Sequence, residues 1–189
     1  MAALTEHSTL PLPRFDAPVR LLIVVAPYYR AIADALIAGA RRTAEAAGAS
    51  VDLVEVPGAL EIPAAVAMAG RLANYDGFVA LGCVIRGETT HYDTVCNDSS
   101  RGLTLLGLQG LCLGNGILTV ETMEQAVVRA DPEGQDKGGG AAAAALHLIA
   151  LQRRWAGTGR AGAPGRDDRP DVIRLAGALD GVSDAEGRA

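Results

Sequence analysis

The segment whose residues are best suited to chemistry runs from Arg86 to His91 and reads Arg-Gly-Glu-Thr-Thr-His. At the start of a helix, the backbone N–H groups of Glu88 and Thr89 would bind an anion, and Gly87 would let the ligand approach closely. No Gly-Lys-Ser/Thr follows, so the segment is not a Walker loop. The imidazole of His91 can transfer protons near neutral pH beside a phosphate. Helix capping and a structural histidine are the alternatives, but the clustering of these groups favours function.

A second candidate segment, Val56–Pro63, precedes and opens a predicted helix. Ala59 and Leu60 would offer backbone groups to a ligand there. Glu61 falls in the first helical turn, where the helix dipole favours a carboxylate. Glu61 therefore either stabilises the helix or accepts hydrogen bonds from ligand hydroxyls.

Three further features carry aromatic or cationic groups. Tyr28 and Tyr29 stand side by side in a chain with only 4% aromatic residues, and such rings either stack on a heterocycle or lie on a surface loop. Arg129 suits a phosphate dianion, although a surface arginine on a helix is the plain alternative. The run Lys137–Gly140 predicts a flexible break between two helices.

Strand and helix patterns alternate along the chain and place these residues at junctions. Four strands are predicted: a buried one from the apolar, β-branched run Leu21–Val25, one from the alternating pattern of Val51–Val56, and two more at Gly77–Val84 and Leu111–Thr119. Helical spacing predicts five helices, at Ile32–Ala47, Leu60–Ala73, His91–Gln109, Thr122–Ala130 and Ala141–Trp155. This order predicts a three-layer, flavodoxin-like α/β fold, in which a four-stranded parallel sheet has helices on both faces. Ligands bind such sheets at the carboxyl ends of the strands. The candidate residues come after predicted strands and are therefore expected near that end of the sheet.

The two ends of the chain differ from this middle part in composition. We expect an N-terminal arm over residues 1–17, one domain over residues 18–156, and a flexible, disordered tail over residues 157–189. A short apolar patch, Val172–Leu179, predicts a transient helix in that tail. An N-terminal strand from a neighbouring subunit could extend the sheet.

Composition and charge argue against several classes of protein. The net charge of −5 argues against nucleic acid or an anionic membrane surface as a partner. The longest apolar runs fall short of the roughly 20 residues that a transmembrane helix needs. Three cysteines without paired spacing argue against a disulfide framework and a zinc site. The sequence therefore predicts a cytoplasmic protein without a metal site.

Several of these segments, in chain order, resemble the lumazine synthase family. They are Val56–Pro63, Leu81–His91, Gly116–Thr119, and Glu124–Ala126 with Arg129 and Lys137-Gly138. The resemblance implies condensation of 5-amino-6-(D-ribitylamino)uracil with 3,4-dihydroxy-2-butanone 4-phosphate. The products would be 6,7-dimethyl-8-ribityllumazine, phosphate and water, in the penultimate step of riboflavin biosynthesis, by a transferase that needs no metal or organic cofactor.

The resemblance also assigns roles to individual residues. His91 matches the catalytic proton-transfer histidine, and the phosphate site matches Glu88, Thr89 and Arg129. The pyrimidine and ribityl site matches Tyr28, Ala59, Leu60, Glu61, Cys83, Val84 and Ile85, together with Asn115 from a neighbouring subunit. Glu88 is expected to act through its backbone N–H, because its carboxylate would repel a phosphate.

Family active sites lie between the subunits of a pentamer, and some members assemble into a 60-subunit shell. The arm and the charged tail favour a free pentamer here. Many members have phenylalanine where this chain has Leu60 and Asn115, and a Phe-Asn pair in place of Tyr28 and Tyr29. Weaker pyrimidine binding is therefore a hypothesis. A flavin- or lumazine-binding carrier, or a scaffold without catalysis, remains an alternative on the same fold.

Overall fold

The most apolar of the predicted strands forms β1 (Val19–Val25), an inner strand of a parallel sheet. The structure is a computed structural model and describes residues 10–157. Within them, the other strands are β2 (Ala49–Glu55), β3 (Gly77–Ile85) and β4 (Leu113–Val120). The helices are α1 (Arg30–Ala46), α2 (Glu61–Leu72), α3 (His91–Leu108), α4 (Met123–Ala130) and α5 (Lys137–Gly157). The predicted three-layer, flavodoxin-like fold is thus confirmed.

The two faces of the sheet carry separate apolar clusters. In β1, Leu21, Ile23 and Val25 point to one face, while Leu22 and Val24 point to the other, as the two-residue period of a strand requires. Helices α1, α4 and α5 cover the first face, and α2 and α3 cover the second. Since both faces are covered, the inner strands are apolar on both sides.

The strand order is β2-β1-β3-β4, and all neighbouring pairs are parallel. The chain moves from β1 to β2 on one side and later returns to add β3 on the other side. The carboxyl ends of β1 and β3 therefore flank the point where the direction of strand addition reverses. Parallel α/β sheets place their ligands at this position.

The expected flexible break at Lys137–Gly140 is wrong, because these residues form the first turn of α5. The Oδ1 atom of Asp136, at φ 42°, accepts a hydrogen bond from the N–H of Gly139 at 2.9 Å, as a capping residue does. A Cβ at Gly138 would overlap the backbone of Leu36 in α1. The glycines therefore allow close packing of α5 on α1 rather than a flexible link.

Other element boundaries differ from the predictions by a few residues. β1 starts at Val19 rather than Leu21, and β2 spans Ala49–Glu55 rather than Val51–Val56. Of the expected arm, residues 10–17 are described and form no helix or strand. The tail beyond residue 157, including the expected helix at Val172–Leu179, lies outside the described residues. No helix among residues 10–157 is long and apolar enough to cross a membrane.

Candidate active site

A cleft of about 540 Å³ opens at the carboxyl ends of β1, β2 and β3. Its walls come from the three junctions that follow these strands and from the first turns of α3. The lining residues include Ala26, Tyr28, Tyr29, Pro57–Glu61, Cys83–Ile85, Gly87, Thr89, His91, Tyr92 and Val95. Of the twelve residues to which the resemblance assigns roles, nine therefore meet in one place: Tyr28, Ala59, Leu60, Glu61, Cys83, Val84, Ile85, Thr89 and His91.

His91 is the first residue of α3, so its imidazole lies where the helix N-terminus meets the cleft. Thr90 precedes it with helical backbone angles and makes no side-chain capping bond. The hydroxyl of Thr89 instead accepts a long hydrogen bond of 3.4 Å from the N–H of His91. Glu88 is exposed and lies between two residues of the cleft wall, although it does not itself line the cleft.

The loop after β2 forms a second wall and is tied to the sheet. The N–H of Val56 donates to the carbonyl of Val25 at 2.9 Å, and the N–H of Glu61 donates to the carbonyl of Gly58 at 3.2 Å. Ile62 is fully buried and anchors the start of α2 in the core. A Cβ at Gly58 would lie 2.9 Å from Oε2 of Glu61, so glycine leaves room for that carboxylate.

An ion pair joins the first residue of α1 to the last residue of β2. Arg30, at the start of α1, donates to both carboxylate oxygens of Glu55, at 2.6 and 3.2 Å. This hydrogen-bonded pairing lowers the pKa of Glu55 below its usual value. The bidentate geometry restrains the two backbones that carry the tyrosine pair and the Glu61 loop.

The aromatic wall consists of two tyrosines of different exposure. Tyr28 is 76% exposed, and its ring meets that of Tyr29 edge to face at 5.0 Å between centroids. Burial raises the pKa of Tyr29 above 10, with smaller contributions from Tyr28 and Cys83. A ring as open as that of Tyr28 is free to stack on a ligand or on another chain.

Cys83 lines the cleft from the end of β3 and is buried. Burial raises the pKa of its thiol to about 11. The group therefore remains a neutral thiol at physiological pH and is a poor nucleophile. Its place in the cleft wall suits contact with a ligand rather than covalent chemistry.

Two of the predicted site residues lie elsewhere, in a second concavity of about 340 Å³. Asn115 on β4 and Arg129 on α4 line it, together with Lys137 at the start of α5. Arg129 is partly buried and donates from Nη1 to the carbonyl of Gln125 at 3.1 Å. The cleft and this second concavity share no lining residue.

Most of the chain is similar to proteins of one family. The model of the family described as 6,7-dimethyl-8-ribityllumazine synthase matches residues 18–153. A protein of that name from Jannaschia sp. is 59% identical over 150 residues, which cover 79% of this chain and 84% of the relative. Another from Novosphingobium aromaticivorans is 53% identical over 136 residues, covering 72% of this chain and 98% of the relative. The chain belongs to the 6,7-dimethyl-8-ribityllumazine synthase family.

The segments that resemble the lumazine synthase family divide between the two concave surfaces. Val56–Pro63 and Leu81–His91 contribute to the cleft, whereas Gly116–Thr119 and Arg129 with Lys137 contribute to the second concavity. The family match spans all four segments. The chain therefore carries both sets of residues, but on separate surfaces.

Sequence reasoning missed several residues of the cleft, above all Tyr92 and Val95 on α3. The signal was present, because residues 91, 92 and 95 fall on neighbouring faces of one helix that starts at a strand end. Tyr29, the second ring of the predicted tyrosine pair, does line the cleft, and Lys137 lines the second concavity beside Arg129. Among residues 10–157, no group of three or more His, Cys, Asp or Glu side chains is placed to hold a metal ion.

Proposed function

We propose that this chain condenses 5-amino-6-(D-ribitylamino)uracil with 3,4-dihydroxy-2-butanone 4-phosphate to form 6,7-dimethyl-8-ribityllumazine, phosphate and water. It is then a transferase of riboflavin biosynthesis. The observation that carries the proposal is the convergence of His91, Thr89 and the Glu61 loop on one cleft at the sheet's switch point, in a chain of this family.

The pyrimidine and its ribityl chain would occupy the part of the cleft between the β1 and β2 junctions. Tyr28 offers an exposed ring for stacking, and Glu61 offers a carboxylate for hydroxyl groups. The remaining contacts would come from Ala59, Leu60, Cys83, Val84 and Ile85, all of which line the cleft. Since Tyr28 is the most open ring of this wall, it would carry the stacking contact. This stacking contact is tested by calorimetric titration of the Tyr28→Leu and Tyr28→Phe variants with the pyrimidine substrate. Equal affinities of the two variants would exclude stacking by Tyr28.

The phosphate would bind at the start of α3, where Thr89 supplies a hydroxyl and Glu88 its backbone N–H. His91 lies beside that position and would move protons as phosphate leaves and the ring closes. The pyrimidine brings its own amine, so imine formation needs no catalytic lysine. The chain's main contributions are then proximity, charge placement and one proton carrier.

Asn115 and Arg129 would reach the ligands only from another copy of the chain. They line the second concavity, which is separate from the cleft on the same chain. We propose that this concavity of one copy meets the cleft of the next, so that each active site is shared. A heterologous contact of this kind forms a ring when its rotation closes on itself. A free homopentamer is the assembly that we propose, with the N-terminal arm adding a strand to a neighbour's sheet.

The proposed reaction is tested by mixing the purified protein with both substrates and recording lumazine fluorescence. We expect turnover. Absence of product at micromolar enzyme would leave a carrier or a scaffold as the function.

Light scattering tests the assembly: a mass of five chains supports the proposal, a monomer contradicts shared sites, and a mass near 60 chains replaces the free pentamer by a shell. A cytoplasmic location is also proposed, because a phosphate-bearing substrate does not cross membranes unaided, and cell fractionation tests it.

A further inference from the structure

The first turn of α3 keeps its backbone hydrogen bonds but has little side-chain capping. Thr90, the capping residue, makes no side-chain capping bond, and the bond from the N–H of His91 to Thr89 is 3.4 Å long. Gly87 has open space around it. A catalytic imidazole needs a defined position, so a contact from outside the helix would add a restraint that capping does not supply here.

Arg86 supplies such a restraint. Its backbone N–H donates to the carbonyl of Val120 at 3.0 Å, which fixes it to the edge of the sheet. Its side chain then reaches two groups on α3: Nη1 lies 3.4 Å from Oδ1 of Asp93, and the guanidinium lies 4.1 Å from the centre of the Tyr92 ring. The planar guanidinium can stack and donate at the same time, which lysine cannot do equally well.

Arg86 also contacts Glu121, the residue that follows β4. Nε of Arg86 donates to Oε2 of Glu121 at 2.7 Å. The backbone N–H of Glu121 donates to the side chain of Gln125 at 2.9 Å, and the carbonyl of Gln125 accepts from Arg129. One continuous set of contacts therefore connects the first turn of α3 with the helix that carries Arg129.

Arg86 does not line the cleft, but Tyr92, which its guanidinium contacts, does. Tyr92 is in direct contact with the guanidinium, and its hydroxyl is also paired with the thiol of Cys96 one turn later. Tyr92 and His91 both line the cleft and are adjacent in α3. Arg86 would thus affect the reaction indirectly, by restraining the first turn of α3, and not by contacting the substrate.

We propose that Arg86 is a positioning residue, which holds the first turn of α3 against Glu121 and thereby sets the orientation of the His91 imidazole. The proposal rests on the proposed function for its kinetic consequence but not for its structural one. Arg86, Asp93 and Glu121 are all at least two-fifths exposed, so their ion pairs contribute little to global stability. Loss of Arg86 should therefore alter His91 and leave the fold intact.

The structural part is tested without any turnover. The chain has three histidines, so a ¹³C-histidine spectrum of the full-length protein contains few imidazole signals, and His91→Ala assigns that of His91. We expect Arg86→Met to shift or broaden the His91 signal and leave the other two in place, with a smaller change in Glu121→Gln. Arg20→Met is the matched control, because Arg20 likewise pairs with a carboxylate, Asp52, and lies over a tyrosine ring, that of Tyr75. A His91 signal unchanged by both Arg86→Met and Glu121→Gln would overturn the proposal.

The kinetic part uses the same variants. We expect Arg86→Met to lower kcat by about 10-fold with little change in either KM, as a small misplacement of a catalytic group does. Arg86→Lys should recover part of the loss, and Arg20→Met should show none. In a His91→Ala background, Arg86→Met should cost almost nothing further. An undiminished 10-fold loss in that background, or no loss in the wild-type background, would overturn the proposal. If the unmodified protein gave no product, the proposed function would fail while the His91 spectrum still decided the role of Arg86.

Discussion

The cleft beside His91 and the concavity beside Arg129 lie on the same domain but are lined by different chemistry. The cleft combines aromatic and aliphatic walls with one imidazole and one carboxylate, those of His91 and Glu61. The second concavity presents two cations, Arg129 and Lys137, and no acidic residue of the described chain lines it. We therefore propose that the cleft binds the ring, carries the proton transfer and offers the start of α3 to the phosphate, whereas the second concavity adds cations to the phosphate site. If both serve one reaction, activity is a property of the assembly rather than of the single chain.

The largest effect should follow from removing the proton carrier of the cleft. We expect His91→Ala to lower kcat by about 100-fold, the low end for general acid–base catalysis, because positioning supplies much of the rate. His91 is exposed at a helix start, so the circular dichroism spectrum should not change. His147→Ala, in α5 and outside both concave surfaces, is the control. An unfolded His91→Ala protein would instead make this histidine structural.

A smaller and different effect is expected on the second surface. Arg129→Ala removes a cation from the proposed phosphate contact, so the KM for the phosphate-bearing substrate should rise by about 10-fold, equivalent to a lost hydrogen bond to a charged group. The KM for the pyrimidine should change little. Arg101→Ala, an exposed arginine on α3, serves as the control. Equal increases in both KM values would argue against a phosphate-specific role.

The sharpest test of shared sites combines these two variants. If one chain supplies His91 and its neighbour supplies Arg129, an equal mixture of His91→Ala and Arg129→Ala chains restores about one quarter of the interfaces to the intact pair. When the phosphate-bearing substrate is kept well below the KM of the Arg129→Ala variant, denatured and refolded mixtures should thus exceed the mean activity of the two parents. Activity that stays at that mean would place both residues in one chain's site and remove the contrast between the surfaces.

Much of this architecture could be predicted from local sequence. The run Leu21–Val25 is apolar and β-branched, and it forms an inner strand whose side chains are buried on both faces. The start of α5 could not be predicted from local propensity, because Gly138 serves a close approach to Leu36, a residue about 100 positions earlier. Asp136 was the available local signal, as an acidic cap before a helix.

The candidate site, too, could be predicted from the sequence only in part. Reasoning from strand ends identified all four junctions, but only three of them meet in the cleft. β4 lies at the sheet edge beyond β3, so the helix carrying Arg129 starts away from β1 and β2. Strand order depends on long-range pairing, which spacing along the chain does not encode. Tyr92 was missed although it follows His91 on a helix that starts at a strand end, and its contact with Arg86 is visible only in three dimensions.

The smallest change in kcat is expected for Cys83→Ala. This variant tests whether the cysteine in the cleft contributes packing or chemistry. Burial raises the thiol pKa to about 11, so roughly one thiol in a thousand is ionised at pH 8, and labelling by iodoacetamide should accelerate about ten-fold per pH unit up to that value. Cys112 is equally buried, has a pKa of about 11 and lies outside the cleft, which makes Cys112→Ala the matched control. Because a neutral thiol contributes only packing, Cys83→Ala should change kcat by less than about two-fold and resemble Cys112→Ala. A much larger loss in Cys83→Ala alone would give the sulfur a chemical role. His91 would then no longer be the sole proton carrier proposed for this cleft.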